Sequence, residues 1–176
     1  MDFLWALRIK PDQEGVMKGF EEKVKTRGLV VREWIAQIEA LEHKSFQGFL
    51  SHCGWNSVTE SICIGVPILV WPMMADQHLN TRMVSKEIKV GLRVETCDGL
   101  VRRFVQWEGL SEMVKELMGG EMGKMVRQRE KELSEAAKKA MKEAVTSWHS
   151  LESLLNELGM KQTVNYSNNR NEFLNS

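Results

Sequence analysis

Short apolar blocks separated by polar turns fill the first half of the chain, and a longer helical rhythm fills the second. Residues 2–8 alternate Phe3, Trp5 and Leu7 with Leu4 and Ala6. Both sets are apolar, the pattern of a strand buried on both faces of a parallel sheet. Residues 10–27 are polar around Val16, Met17, Phe20 and Val24, which predicts a loop and a short helix ending at Gly28. Strands are predicted over residues 29–31, 46–51 (FQGFLS), 68–71 (ILVW) and 90–94. Residues 37–42 read as one helical turn. Residues 57–64 read as a helix with Val58, Ile62 and Cys63 on its apolar face, stopped by Gly65 and Pro67. Residues 76–88 carry Leu79, Met83, Val84 and Ile88 at helical spacing, with Asp76 placed to cap them.

Beyond that point the pattern is helical. Leu110, Met113, Val114 and Leu117 share a face within residues 103–118, and Gly119-Gly120 ends the segment. A charged helix follows over residues 121–145, with a stripe at Met122, Val126, Leu133, Ala137, Ala140 and Ala144 and a solvated face of alternating charges. Trp148, Leu151, Leu154 or Leu155, and Leu158 mark a last helix, stopped at Gly159. Residues 160–176 are polar and rich in asparagine, a disordered tail. The alternation of strands and helices predicts an α/β fold around a parallel sheet, in one domain over residues 1–159. A buried parallel strand at the very start points to earlier strands of the same sheet.

Composition narrows the function classes. Lys plus Arg and Asp plus Glu both number 24. A net charge of zero gives no bulk attraction for nucleic acid or a membrane surface. The 3 cysteines (Cys53, Cys63 and Cys97) form no disulfide framework and read as free buried thiols in a reducing compartment. Residues 1–10 lack the parts of a signal peptide, and no apolar run reaches membrane-spanning length, so a cytoplasmic location is expected.

The chemistry concentrates in residues 34–77. At their centre, His52-Cys53-Gly54-Trp55-Asn56-Ser57 joins a strand to a helix start. The first N–H groups of a helix lack intrahelical partners, and its dipole favours negative charge there. With Asn56, Ser57 and His52 as side-chain donors, this turn reads as a phosphate or diphosphate cradle. Other chemistries find little footing. The fingerprint G-x-G-x-x-G is absent, and Gly119-Gly120-Glu121-Met122-Gly123-Lys124 has the wrong spacing for a P-loop and reads as a helix-to-helix turn. His43, His52, Cys53 and His78 make no metal pattern, and Ser57 lies in no G-x-S-x-G elbow.

The same stretch resembles the signature box of the plant secondary-product glycosyltransferases, the family 1 enzymes that use UDP-sugars. That box opens on Trp and closes on Gln or His, at the spacing of Trp34 and Gln77 here. Gln37, His43, Gly48, the run from His52 to Ser57, Glu60, Gly65, Pro67, Trp71-Pro72 and Asp76-Gln77 match its internal landmarks. FLWALR and Arg27-Gly28-Leu29-Val30-Val31 before the box, and Val101-Arg102-Arg103 after it, extend the likeness over residues 2–158.

The resemblance implies roles. Trp34, whose indole offers a large π-face, stacks on the uracil. The Ile35 backbone bonds the uracil edge. Gln37 and Glu60 face the ribose, where a carboxylate can accept from two vicinal hydroxyls. His52, Asn56 and Ser57 hold the diphosphate; the Trp55 backbone, Asp76 and Gln77 hold the sugar. Gln at the end of the box leans toward glucose. Taken singly, Trp34 can be read as core and His52 as a packed core histidine, and Glu60 is better read as a surface charge and Asp76 as only an N-cap; together, at the family's spacing, they read as a site. Cys53, Gly48, Gly65, Pro67 and Trp71 are assigned to structure. Ala36 departs from the proline usual at the third position of the box, freeing φ and restoring an N–H.

By the same resemblance the fold is the C-terminal, Rossmann-like half of a GT-B glycosyltransferase, with no metal and no cofactor beyond the UDP-sugar donor. The reaction is transfer of a sugar, glucose first, to a hydroxyl of a small plant metabolite such as a phenolic or flavonoid, with inversion. The family's acceptor pocket, its catalytic His and the Asp that orients it belong to an N-terminal domain that this sequence lacks. No catalytic residue is therefore expected in this chain, which reads as a truncated copy. The rival reading is a non-catalytic nucleotide-binding fragment or pseudoenzyme.

Overall fold

The computed structural model of the chain describes residues 2–7, 14–94, 105–142 and 146–158. The elements run β1 (Phe3–Ala6), α1 (Glu14–Val24), β2 (Gly28–Val31), α2 (Gln37–Glu42), β3 (Phe49–Ser51), α3 (Trp55–Ile64), β4 (Ile68–Val70), α4 (Gln77–Arg82), β5 (Gly91–Arg93), α5 (Trp107–Gly119), α6 (Glu121–Ala140) and α7 (Thr146–Glu157). Every strand pairing is parallel, as the strand-helix alternation predicts. The pairings fall, however, into two sheets among the described residues. β1 pairs with β2, placing Phe3 opposite Gly28, and β3-β4-β5 form the other, placing Ile68 between Phe49 and Gly91. No helix among the described residues is long and apolar enough to cross a membrane.

The central strand β4 shows why this segment needs apolar residues at every position. Ile68 and Val70 pack with Cys53, Val58, Val84 and Val90 on one face. Leu69 points the other way, into Val94, Val105, Leu117 and Val126. A strand covered by helices on both sides offers no polar face, and each side chain so buried contributes about 1.5–3 kcal/mol. α5 presents Leu110, Met113, Val114 and Leu117 to this second cluster, the face its periodicity predicts.

Four expectations need correction. β1 is not buried on both faces: Trp5 is 41% exposed and Ala6 is exposed. The two-stranded sheet is covered where Trp5 meets Phe20 of α1 edge-on, with ring centroids 5.4 Å apart. The buried side of α3 is Val58 and Ser61, and Cys63 faces solvent. Ser61 tolerates burial because its hydroxyl donates to the Val66 carbonyl. Of the three thiols expected to be buried, Cys53 is, Cys63 is not, and Cys97 lies outside the described residues. The helix predicted over residues 76–88 is α4 followed by a π turn at Met83–Glu87, closed by the Ile88 N–H on the Met83 carbonyl at 2.9 Å. Thr81 and Val84, one α-helical turn apart, are buried, and Leu79 is 72% exposed. The predicted helix start at Arg103, the resemblance at Val101-Arg102-Arg103 and the tail over residues 160–176 also lie outside the described residues.

A fifth correction is on α6. Its buried face is Gly123, Val126, Glu130 and Ser134, with Met122 exposed. Ser134 donates to the Cys63 carbonyl at 3.0 Å, tying α6 to α3. Arg127 donates to the Leu117 and Met118 carbonyls at 2.6 and 2.9 Å, satisfying the end of α5. Glu130, read from sequence as part of a solvated charged face, is 0% exposed, and neither carboxylate oxygen has a hydrogen-bond partner. Burial alone pushes its carboxyl from the ordinary 4.5 to about 8.

That shift has a sign. Between about pH 4.5 and about 8 the fold retains a proton that the unfolded chain has released. Stability therefore falls as pH rises through this window. Glu130→Leu removes the buried acid. The variant should be more stable than the parent at pH 8, by on the order of 2 kcal/mol, and should lose the decline. Urea melts from pH 5 to 8.5 check it; parallel decline in both chains contradicts it.

Candidate functional site

The site grows from the loops at the carboxyl ends of β3 and β4. β3 ends at Ser51 and α3 begins at Trp55, so residues 52–54 make the turn. Cys53 holds this turn in the left-handed region, with φ 68°. A non-glycine residue there needs outside support. Ser51 Oγ accepts the Cys53 N–H at 3.1 Å, and Asn80 Nδ2 donates to the Cys53 carbonyl at 3.0 Å. The Cys53 side chain is anchored in the core, where burial pushes its thiol up.

This turn aims the start of α3 outward. The helix has no side-chain cap, and its first hydrogen bond runs from the Val58 N–H to the Gly54 carbonyl at 3.1 Å. The N–H groups of Trp55, Asn56 and Ser57 therefore have no intrahelical acceptor. His52 folds back over Gly54: a Cβ there would stand 2.6 Å from His52 Nε2, so a larger residue would displace the imidazole. The imidazole lies over the helix start, exposed, with Asn56 exposed beside it. The result is a concentration of donors at the positive end of a dipole, suited to an oxyanion. The reading of His52 as a packed core residue is excluded.

Gln37, the first residue of α2, ties this start to the side of α3. Its Nε2 donates to Glu60 Oε2 at 2.6 Å and to Ser57 Oγ at 3.3 Å. Both amide protons are thereby used, and Gln37 keeps only its carbonyl oxygen for another partner. Ser57, accepting from Gln37, keeps its hydroxyl proton to donate. Three of the residues singled out by sequence are thus one hydrogen-bonded unit. Trp34 and Ile35 enter the extended segment just before α2; the Trp34 side chain is 82% exposed, which excludes the core reading, and Ile35 is half-buried. Ala36 has φ −69°, the angle a proline ring would impose. Freeing φ at this position has therefore not changed the entry into α2.

The loop after β4 supplies Asp76 and Gln77. Ala75, at φ 53°, turns the chain just before them. Gln77 Oε1 accepts the Met73 and Met74 N–H groups at 2.8 and 2.9 Å. Its NH₂ group is left to donate, the reverse of Gln37. Asp76 occupies the N-cap position of α4 but makes no side-chain cap, contrary to the expected role. Its Oδ2 instead accepts from Asn80 Nδ2 at 2.9 Å. Asn80 and Ser51 are the residues that sequence reasoning missed. The signal for Asn80 was available: it stands four residues after Asp76, one helical turn on along the same face.

Comparison with known proteins comes to the same region. The family described as UDP-glucoronosyl and UDP-glucosyl transferase matches residues 3–150. UDP-glycosyltransferase 90A1 of Arabidopsis thaliana is 53% identical over 159 residues, covering 90% of this chain and 33% of that protein. Anthocyanidin 5,3-O-glucosyltransferase of a Rosa hybrid cultivar is 41% identical over 162 residues, 86% of this chain and 34% of that protein. Among solved structures, Phytolacca americana UGT2 complexed with UDP-2fluoro-glucose and pterostilbene superposes with a TM-score of 0.80 at 40% identity, over 90% of this chain and 35% of its own. The chain spans about a third of the length of the curated relatives it matches.

The Ala36 dihedral generates a prediction. With φ already at the proline value, Ala36→Pro should stabilise the chain by about 0.4–1 kcal/mol through a less free unfolded state. Chemical denaturation of the two chains checks it, and a lowered midpoint would show that the Ala36 N–H is in use.

Proposed function

The chain belongs to the UDP-glucoronosyl and UDP-glucosyl transferase family, with the Rossmann-like α/β fold of the GT-B glycosyltransferases, and from that premise we propose that it is the donor-binding part of a transferase moving glucose from UDP-glucose to a hydroxyl of a small metabolite. Residues 1–159 form the donor unit in this reading. Trp34 stacks on the uracil, and the Ile35 backbone meets the uracil edge. The Gln37 carbonyl and the Glu60 carboxylate take the ribose hydroxyls. His52, Asn56 and Ser57, with the free N–H groups of α3, hold the diphosphate. The Trp55 backbone, Asp76 and the Gln77 NH₂ hold the hexose. The observation that carries the proposal is the start of α3: three N–H groups without intrahelical acceptors, and a Ser57 hydroxyl left free to donate by Gln37.

The chemistry follows from where charge develops. When the acceptor oxygen attacks the anomeric carbon from the opposite side, the bond to UDP breaks and negative charge collects on the leaving diphosphate. Fixed donors placed there in advance need not reorganise as that charge forms, and they stabilise the transition state more than the bound sugar nucleotide. Relatives named for anthocyanidin and isoflavone glucosylation support a phenolic acceptor. The acceptor pocket and the base that deprotonates its hydroxyl fall, in this proposal, to the part of the fold outside the matched third.

Two outcomes test the reading. Asn56→Ala with Ser57→Ala removes bonds to a charged ligand, each worth roughly 1.5–3 kcal/mol. Calorimetry should show UDP affinity falling far more than uridine affinity; equal losses would contradict the cradle. The chain by itself should bind UDP-glucose yet transfer no sugar to a panel of phenols, since a positioned base alone is worth about 10²–10⁴-fold. Glucosylation above the uncatalysed rate by residues 1–176 would overturn that division of labour.

A further inference from the structure

Two loops meet at the carboxyl end of the sheet, and a single side chain joins them. The β3–α3 loop carries Cys53 at φ 68°, and the β4–α4 loop carries Ala75 at φ 53° immediately before Asp76. Asn80 stands on α4, half-buried behind both. Its Nδ2 donates to the Cys53 carbonyl at 3.0 Å and to Asp76 Oδ2 at 2.9 Å. An amide nitrogen has two protons, so each bond takes one. One Asp76 oxygen is fixed by this bond. Gln77 is fixed separately, through Met73 and Met74.

We propose that Asn80 is a positioning residue that sets the reach from the diphosphate cradle to the sugar, by tying the Asp76 carboxylate to the backbone turn that launches α3. The inference rests on the donor-site reading above and extends it to a residue that does not touch the ligand. The tie fixes a carboxylate to a backbone carbonyl, two groups that repel one another unless a two-proton donor stands between them. Neither Ala nor Asp at position 80 can supply that donor. A serine has one proton and can serve one acceptor at a time. With the tie cut, Asp76 is free to leave the orientation the hexose needs, while the N–H groups of α3 remain for the diphosphate.

The experiment titrates the full chain and its variants with UDP and with UDP-glucose by calorimetry. Asn80→Ala and the isosteric Asn80→Asp should lower the ratio of UDP-glucose to UDP affinity about fivefold or more, and Asn80→Ser should fall between them and the parent. In an Asp76→Ala background, Asn80→Ala should leave the ratio where Asp76→Ala alone has put it. Equal loss of both affinities, or a further drop in the Asp76→Ala background, would make Asn80 a brace of the fold and overturn the proposal. In the parent chain, the Asn80 side-chain amide signals should move on adding UDP-glucose beyond their position with UDP, a readout that holds even if the variants fail to fold. Coincident signals overturn the proposal. A parent chain that binds neither ligand removes the donor-site reading and this inference with it; a parent that binds both while Asn80→Ala keeps the parental ratio removes this inference alone.

Discussion

A single backbone conformation, the left-handed Cys53, sets the geometry of the site. With its side chain in the core and its carbonyl and N–H each held by a different side chain, Cys53 reverses the chain between β3 and α3 within three residues. A wider turn would let the helix start drift from the strand end that places it. The strain is held by groups from both sides, Ser51 on the strand and Asn80 on α4, so the reversal is a property of the assembled layers. Core packing and ligand geometry meet at one residue: the same Cys53 belongs to the cluster around Ile68, Val70 and Val84.

From that turn the rest of the site is assembled by hydrogen bonds that use up polar capacity selectively. Gln37 uses its donors internally and Gln77 its acceptor, so two identical side chains are left with opposite polarity. Ser57 accepts inward and can donate outward. These assignments follow from counting protons and lone pairs against the bonds made.

Much of this was legible in the sequence. The strands at β2, β3, β4 and β5, the short helix α2 and the apolar face of α5 follow from the apolar pattern; pattern and burial coincide throughout β4, whereas Leu29 of β2 and Leu50 of β3 stand exposed. Within the box of residues 34–77, Gln37, Ser57 and Glu60, each singled out by the resemblance, are joined by hydrogen bonds. What escaped was of two physical kinds. One is burial of polar side chains: Ser61, Thr81, Ser134 and Glu130 replace the apolar residues that a hydropathy pattern seeks, and only Ser61 and Ser134 of these have visible partners. The other is long-range bonding. The Asn80 link to Cys53 spans the β4 crossover, and no local pattern announces it. The π turn at Met83–Glu87 and the exposure of Leu79 were not announced by the apolar spacing either.

The pinning of the Gln77 carbonyl bears on any substitution at the end of the box. A histidine ring in its neutral form has one acceptor nitrogen, whereas Gln77 Oε1 serves both Met73 and Met74. Replacing Gln77 by histidine therefore releases at least one backbone N–H and lets the loop that carries Asp76 relax. A swap at this position is a change of scaffold as well as of side chain, and it calls for a second, compensating change in the Met73-Met74 loop.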